Sequence, residues 1–199
     1  NMIRLGQANK ALLVGSETFS RIVDWEDRST CVLFGDGAGA VVLGADDNNG
    51  SNGDRGVLST HIHSDGDYYK LLWTNGGPST NGQAGYIEMD GADVFKHAVL
   101  RMAETVQESL AENDLDASDI DWLVPHQANI RIMDSVAKKL SINKSKVIVT
   151  VDQHANTSAA TIPMALADAQ SRQRFSSGDL ISLTAMGGGF TWGSALIRW

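Results

Sequence analysis

Two residues in this chain have the types and settings that carbonyl chemistry needs. His126 follows the apolar run Trp122-Leu123-Val124, and Asn156 follows Val147-Ile148-Val149 and opens an alanine-rich stretch. Each stands where a short strand is expected to give way to a helix. Two such corners from one sheet can aim an imidazole and an amide into one crevice, where open α/β sheets place ligands. A neutral imidazole beside an amide N–H makes a hole for a thioester or enolate oxygen. A nucleophilic thiolate normally completes this chemistry. The single cysteine, Cys31, lies in Thr30-Cys31-Val32-Leu33, which reads as mid-strand. Activated cysteines favour helix N-termini or cationic neighbours, so Cys31 is read as a small hydrophobe and the pair is expected to lack its nucleophile.

The elements that must position the pair follow from hydrophobic period. Ala11-Leu12-Leu13-Val14-Gly15 reads as a buried parallel strand. Cys31–Phe34 and Ala40–Leu43 flank Gly35-Asp36-Gly37-Ala38-Gly39, whose small residues let backbone pass close to backbone. Residues 46–56 are polar and read as a linker, 57–63 as a strand, and 64–85 as a long loop carrying Tyr68, Tyr69 and Trp73. Val94, Phe95, Ala98, Val99, Met102, Val106 and Leu110 recur at helical spacing, capped by Asp90 to Asp93. Strands over 121–124 and 146–150, helices near 129–140 and 157–174, and strands over 179–186 and 190–198 complete an α/β layered reading. The division expected is 1–45 as the tail of one unit, 46–56 as linker and 57–199 as a second unit.

The totals exclude several classes. The chain has 199 residues with a net charge of −8, which argues against a general nucleic-acid surface. No run of 18 apolar residues suggests a membrane span, and no signal peptide pattern appears. One cysteine excludes an intramolecular disulfide framework and suits a reducing cytoplasm. The chain opens at Asn1, in what reads as the end of a helix, so it looks like a cut through a larger protein.

Other chemistry-bearing residues weigh less. His61 and His63 alternate on a strand without a third ligand, so no metal site is expected. His154 reads as a packing or hydrogen-bonding neighbour. Asn156 at a helix start can serve as an N-cap, a use that competes with catalysis for the same side chain. The glycine-rich loop at 35–39 lacks the following helix of a dinucleotide site. Gly187-Gly188-Gly189 is either a tight turn or a close approach of backbone to a ligand. From Gln127 to Lys146 there are five cations (Arg131, Lys138, Lys139, Lys144 and Lys146) against one acid, Asp134. That patch is either a solvated helix face or a dock for an acidic partner.

His126-Gln127-Ala128-Asn129-Ile130-Arg131-Ile132, Asn156-Thr157-Ser158-Ala159-Ala160, Gly187-Gly188-Gly189-Phe190-Thr191-Trp192-Gly193 and Phe34-Gly35-Asp36-Gly37-Ala38-Gly39-Ala40 resemble signature segments of 3-oxoacyl-[acyl-carrier-protein] synthase III. The resemblance runs from Ala11 to Trp199, with four motifs in the family's order. It implies a thiolase-like α/β fold, here the complete C-terminal half plus the last strands of the N-terminal half, and normally a homodimer. It implies a decarboxylative condensation of a short acyl-CoA with malonyl-acyl carrier protein, with CoA and phosphopantetheine thioesters as substrates and no cofactor.

By the same resemblance His126 and Asn156 are catalytic. Each would donate to the malonyl thioester oxygen, worth roughly 3 kcal/mol per lost donor. Arg21, Met89, Gly91, Phe95, Ala128 and Asn129 match CoA and pantetheine contacts. Met186 and Gly187 match positions beside the acyl group. Arg131, with Lys138 and Lys139 near it, matches a carrier-protein dock. The family's nucleophilic Cys falls at a position before Asn1. Ala155 stands where the family has Gly, and Met186 where it commonly has Phe. The alternatives are a non-catalytic chain that binds CoA or carrier protein, and a related condensing enzyme of the same fold.

Overall fold

Strands that are apolar on both faces need cover on both faces, and this requirement organises the molecule. The computed structural model describes every residue except Asn49 and Pro78. In chain order its strands and helices are β1 (Lys10–Glu17), β2 (Gly37–Gly44), β3 (Gly56–Ser64), β4 (Leu72–Thr74), β5 (Ile87–Met89), α1 (Gly91–Glu112), β6 (Trp122–Pro125), α2 (Ile130–Lys139), α3 (Val151–His154), α4 (Thr161–Ser171), β7 (Leu180–Gly187) and β8 (Thr191–Arg198). The main sheet has the order β3-β8-β7-β6, with β6 parallel to β7 and the other pairs antiparallel.

The pleat sends alternate residues to opposite sides. Leu123 and Leu180 enter a core with Val94, Met102 and Val106 of α1 and with Val136 of α2. Val124 and Ile181 enter a second core with Ala165, Leu166 and Ala169 of α4. Helix α4 also packs on β1 and β2, so it lies between the main sheet and the β1–β2 ribbon. The helix expected from the spacing of Val94 to Leu110 forms as α1 with its expected cap: the Asp90 carboxylate accepts from the Asp93 N–H at 3.2 Å.

Several expectations fail for identifiable reasons. The run Ala11–Gly15 lies in a strand, but one antiparallel to β2, and Leu12, Val14 and Val42 are exposed on the ribbon's outer face. Residues 31–34 form a turn that ends in an isolated bridge between Phe34 and Asn156, and Cys31 lies within that turn. Residues 146–150 form no strand and make only a bridge between Leu123 and Val147. The last long helix begins at Thr161 rather than Thr157, after a separate 3₁₀ turn over Ser158–Ala160. The long loop contains a 3₁₀ helix, Gly66–Leu71, followed by β4. The opening residues form turns, not a helix end. Within the expected linker Asn49, and within the expected loop Pro78, lie outside the described residues. Among the described residues no helix is long and apolar enough to cross a membrane.

Candidate active site

His126 is placed by the sheet. Its backbone N–H donates to the Thr184 carbonyl at 2.7 Å, extending the β6–β7 ladder one residue past Pro125. Nδ1 lies 2.7 Å from Thr161 Oγ1, and the Thr161 hydroxyl donates to the Ser158 carbonyl at 2.8 Å. The ring is half-buried and lines a cavity. Desolvation lowers its pKa to about 4, so the imidazole is neutral at pH 7.

Asn156 is placed without a strand. Its N–H donates to the Leu33 carbonyl at 2.9 Å, and its own carbonyl accepts from Gly35 N–H at 3.0 Å. Its side-chain oxygen accepts from the Ser158 N–H at 2.9 Å. The amide nitrogen has no protein partner among the described residues, and it is not sealed away from space. Capping and donation therefore use opposite ends of one side chain and do not compete. The backbone on either side is strained: Ala155 has φ 58° and ψ −165°, and Ser158 has φ 50°. The first is a region occupied essentially by Gly, costing an L-residue about 1–3 kcal/mol. It coincides with the position where Gly was expected.

Gln127 ties the two corners together. It is fully buried; its amide donates to the Pro125 carbonyl at 2.7 Å and the Ile148 carbonyl at 3.1 Å, and its oxygen accepts from the Thr150 N–H at 2.8 Å. These side-chain bonds stand in for the ladder that residues 146–150 lack. Close packing of the β1–β2 ribbon fixes the segment that follows Asn156. A methyl group at Gly15 would run into the Ala159 carbonyl oxygen; at Gly37 it would meet Met164 Sδ at 2.7 Å, and at Gly39 the Met164 N at 2.9 Å.

A cavity of about 380 Å³ opens between these parts, lined among others by His126, Asn156, Met186, Gly187, Trp73 and Phe19. A methyl group on Gly187 would meet nothing within 4 Å, so the glycine leaves free space. The 3₁₀ turn Phe19–Arg21 is anchored by Asp36, whose carboxylate accepts from the Ser20 hydroxyl at 2.6 Å and the Ser20 N–H at 2.8 Å. Those bonds, the hydroxyl first, hold the Asp36 carboxyl below its usual range. Phe19 stacks on Phe34 with centroids 4.8 Å apart.

The structure brings His126, Asn156, Met186 and Gly187 to one cavity, and the other expected contacts are not among its lining residues. Arg21 is exposed on the anchored turn, between the cavity residues Phe19 and Ile22. The Arg131 guanidinium lies 5.6 Å from the Phe95 ring centroid, and Met89 neighbours Gly91. Met89, Phe95 and Ala128 pack on the edge of the first core. Asn129 is the N-cap of α2, its oxygen accepting from the Ile132 N–H at 2.9 Å.

Lys138 and Lys139 are exposed in the last turn of α2. Lys144 pairs with Asp134 at 2.5 Å and Lys146 donates to the Ile120 carbonyl at 2.6 Å. Arg131, Lys138 and Lys139 are thus the cations of the patch with neither an ion pair nor a side-chain hydrogen bond among the described residues. His154 is exposed rather than packed. His61 and His63 pair with Glu112 and Glu108, each at 2.6 Å. Gln127 and Thr161 were not singled out by sequence, because a buried polar residue looks like a surface one when only its type is known; exposed Asp36 was not singled out because its partner Ser20 is distant in the chain.

Two family models match the chain. One, described as 3-Oxoacyl-[acyl-carrier-protein (ACP)] synthase III, matches residues 1–66, and its C-terminal counterpart matches residues 110–199. The beta-ketoacyl-[acyl-carrier-protein] synthase III of Paramagnetospirillum magneticum is 60% identical over 198 residues, covering 100% of this chain and 61% of that protein. The crystal structure of 3-oxoacyl-[acyl-carrier-protein] synthase III from Aquifex aeolicus VF5 superposes with a TM-score of 0.91 at 43% identity, covering 100% of this chain and 60% of that one. The Pseudomonas aeruginosa PAO1 structure of that name gives 0.92 at 43% identity with the same coverage. The chain thus spans about three-fifths of the length of the relatives it matches.

Proposed function

The chain belongs to the 3-oxoacyl-[acyl-carrier-protein] synthase III family, with its thiolase-like α/β fold, and from that premise we propose that its cavity carries the decarboxylation and carbon–carbon bond-forming half of a condensing acyltransferase. Loss of CO₂ from a malonyl thioester leaves an enolate, whose oxygen needs N–H donors in a water-poor site. The Asn156 amide nitrogen supplies one, because its oxygen is already held by Ser158 N–H. Neutral His126 supplies the second through Nε2 when that nitrogen carries the ring proton. The observation that carries this reading is the meeting of these two side chains in one cavity with Gly187 leaving room beside them.

The substrates of the reading are a short acyl-CoA and malonyl-acyl carrier protein, with no cofactor, in the cytoplasm. Arg21, Met89, Gly91, Phe95, Ala128 and Asn129 would flank the pantetheine and CoA. Exposed Arg131, Lys138 and Lys139 would receive the acidic carrier protein, and the working assembly would be a homodimer. The acyl group would be carried on a thiolate, a role for which Cys31, in its turn outside the cavity lining, is not suited.

The test separates the half-reactions. With malonyl-acyl carrier protein, the 199-residue chain is expected to release CO₂, since enolate stabilisation needs no thiolate. His126→Ala and Asn156→Ala should each slow that release by about 10²-fold. With acetyl-CoA added, no 3-oxoacyl product should form. CO₂ release at the same rate in both variants would refute the reading of the pair, and 3-oxoacyl product from the chain alone would refute the reading of Cys31.

A further inference from the structure

The hydrogen bonds behind His126 fix more than its orientation. Thr161 is fully buried, at 2% exposure, and its hydroxyl carries one hydrogen. Two groups lie within reach: the Ser158 carbonyl oxygen at 2.8 Å and His126 Nδ1 at 2.7 Å. A carbonyl oxygen can only accept. While the hydroxyl donates to Ser158, the bond to the ring must therefore run the other way, from Nδ1–H to Oγ1. A neutral imidazole with its proton on Nδ1 has a bare Nε2. That atom has no partner among the described residues and is not sealed off, and the ring lines the cavity.

We propose that Thr161 is a positioning residue that sets the tautomer of His126, holding the unliganded chain in the Nδ1–H form with Nε2 facing the cavity as an acceptor. The cavity is then faced by one donor, the Asn156 amide, and one acceptor. The enolate step needs two donors. In passing to the other tautomer Nδ1 gives up its proton to solvent during a transient opening of the ring from Oγ1, Nε2 takes one from cavity water, and the ring's charge is unchanged. The Thr161 hydroxyl then turns about its Cβ–Oγ1 bond, and its hydrogen leaves the Ser158 oxygen for the bare Nδ1. Thr161 can complete this exchange because its oxygen bonds Nδ1 in both states. The helix that carries Thr161 is the same α4 whose approach the ribbon glycines set, so placement of Asn156 and tautomer of His126 share one support. The inference rests on the condensing-enzyme reading only for why the tautomer matters, and its readout does not require turnover.

The measurement is a two-bond ¹H–¹⁵N correlation on the ¹⁵N-histidine-labelled 199-residue chain at pH 7, with His126 assigned through His126→Gln. The wild-type ring is expected in the Nδ1–H form. Thr161→Ser should keep the wild-type ratio. Thr161→Val, which keeps the shape but can neither accept nor donate, should shift the ratio toward Nε2–H by about five-fold or more, the scale of one net hydrogen bond. If Thr161→Val does not fold, Thr161→Ala decides by the same ratio. A wild-type ring in the Nε2–H form, or a ratio that does not move when the hydroxyl is removed, overturns the proposal. The CO₂ assay above can fail while this ratio behaves as expected, and the reverse, so the two failures are distinguishable.

Discussion

The two corners of the cavity are built by opposite means. The His126 corner continues a regular parallel ladder, with Leu123 and Val124 packed into separate cores on either side. The Asn156 corner has no ladder. It is suspended from the Leu33 carbonyl and the Gly35 N–H, braced by Gln127 through Ile148 and Thr150, and pressed against glycines of the ribbon. It also holds strained backbone at Ala155 and Ser158. A conformation of that cost persists only where surroundings over-determine it, and here three independent supports do so. A functional residue on a strand end inherits its position, whereas one on an irregular segment must have its position specified contact by contact.

The strongest way to break this contrast is to remove the brace. Gln127→Leu would orphan the buried Thr150 N–H and Ile148 carbonyl at about 1–3 kcal/mol each, for a loss of roughly 4 kcal/mol. Denaturant unfolding should show that loss, and hydrogen exchange should show the Asn156 and Gly35 amides released before those of β6 and β7. Simultaneous release of both regions would show that the corners are one cooperative unit and not two.

Acid should act through the other corner. The folded His126 has its pKa lowered from 6.5 to about 4, so the unfolded chain takes up the proton first as pH falls. The stabilisation is complete above about 6.5 and is lost as pH falls toward about 4, on the order of 3 kcal/mol in all. Stability of wild type and His126→Gln, measured across that window, should converge by this amount as pH drops. Parallel curves would mean that the ring is not desolvated as described.

The smallest expected effect runs in the favourable direction. Ala155→Gly should relieve the φ 58° strain at Ala155 and stabilise the chain by about 1 kcal/mol, after the entropy that glycine loses on folding is subtracted. The rise in thermal midpoint should come without any change at His126. A fall in midpoint would place the strain elsewhere in the corner.

How much of this was legible in the sequence follows the same division. The setting of His126 at the end of an apolar strand was legible because Trp122-Leu123-Val124 precedes it, and α1 because seven apolar residues kept one period; Asn156 was expected after a strand that does not form. The run Val147-Ile148-Val149 misled, because its hydrophobicity reflects burial while its hydrogen bonds go to the Gln127 side chain and to Leu123. The ribbon misled for the converse reason: apolar residues on both faces read as doubly covered, yet Leu12, Val14 and Val42 are exposed. Asp36 and Thr161 reach partners 16 and 35 residues away, Ser20 and His126, and no local pattern records such a pairing. Ala155 was visible as a departure from the family's Gly, but its meaning as backbone strain needed coordinates.

The glycines at 15, 37 and 39 act as a spacer of fixed length. They support the site by what they leave out: at 15 and 39 the neighbour is backbone, which cannot rotate aside to absorb an error, and only at 37 is it the movable end of Met164. For a lineage under mutation, the ribbon's inner face is therefore a ruler with almost no room on its scale, while Leu12 and Val42, three residues away on the other face, meet no such limit from α4.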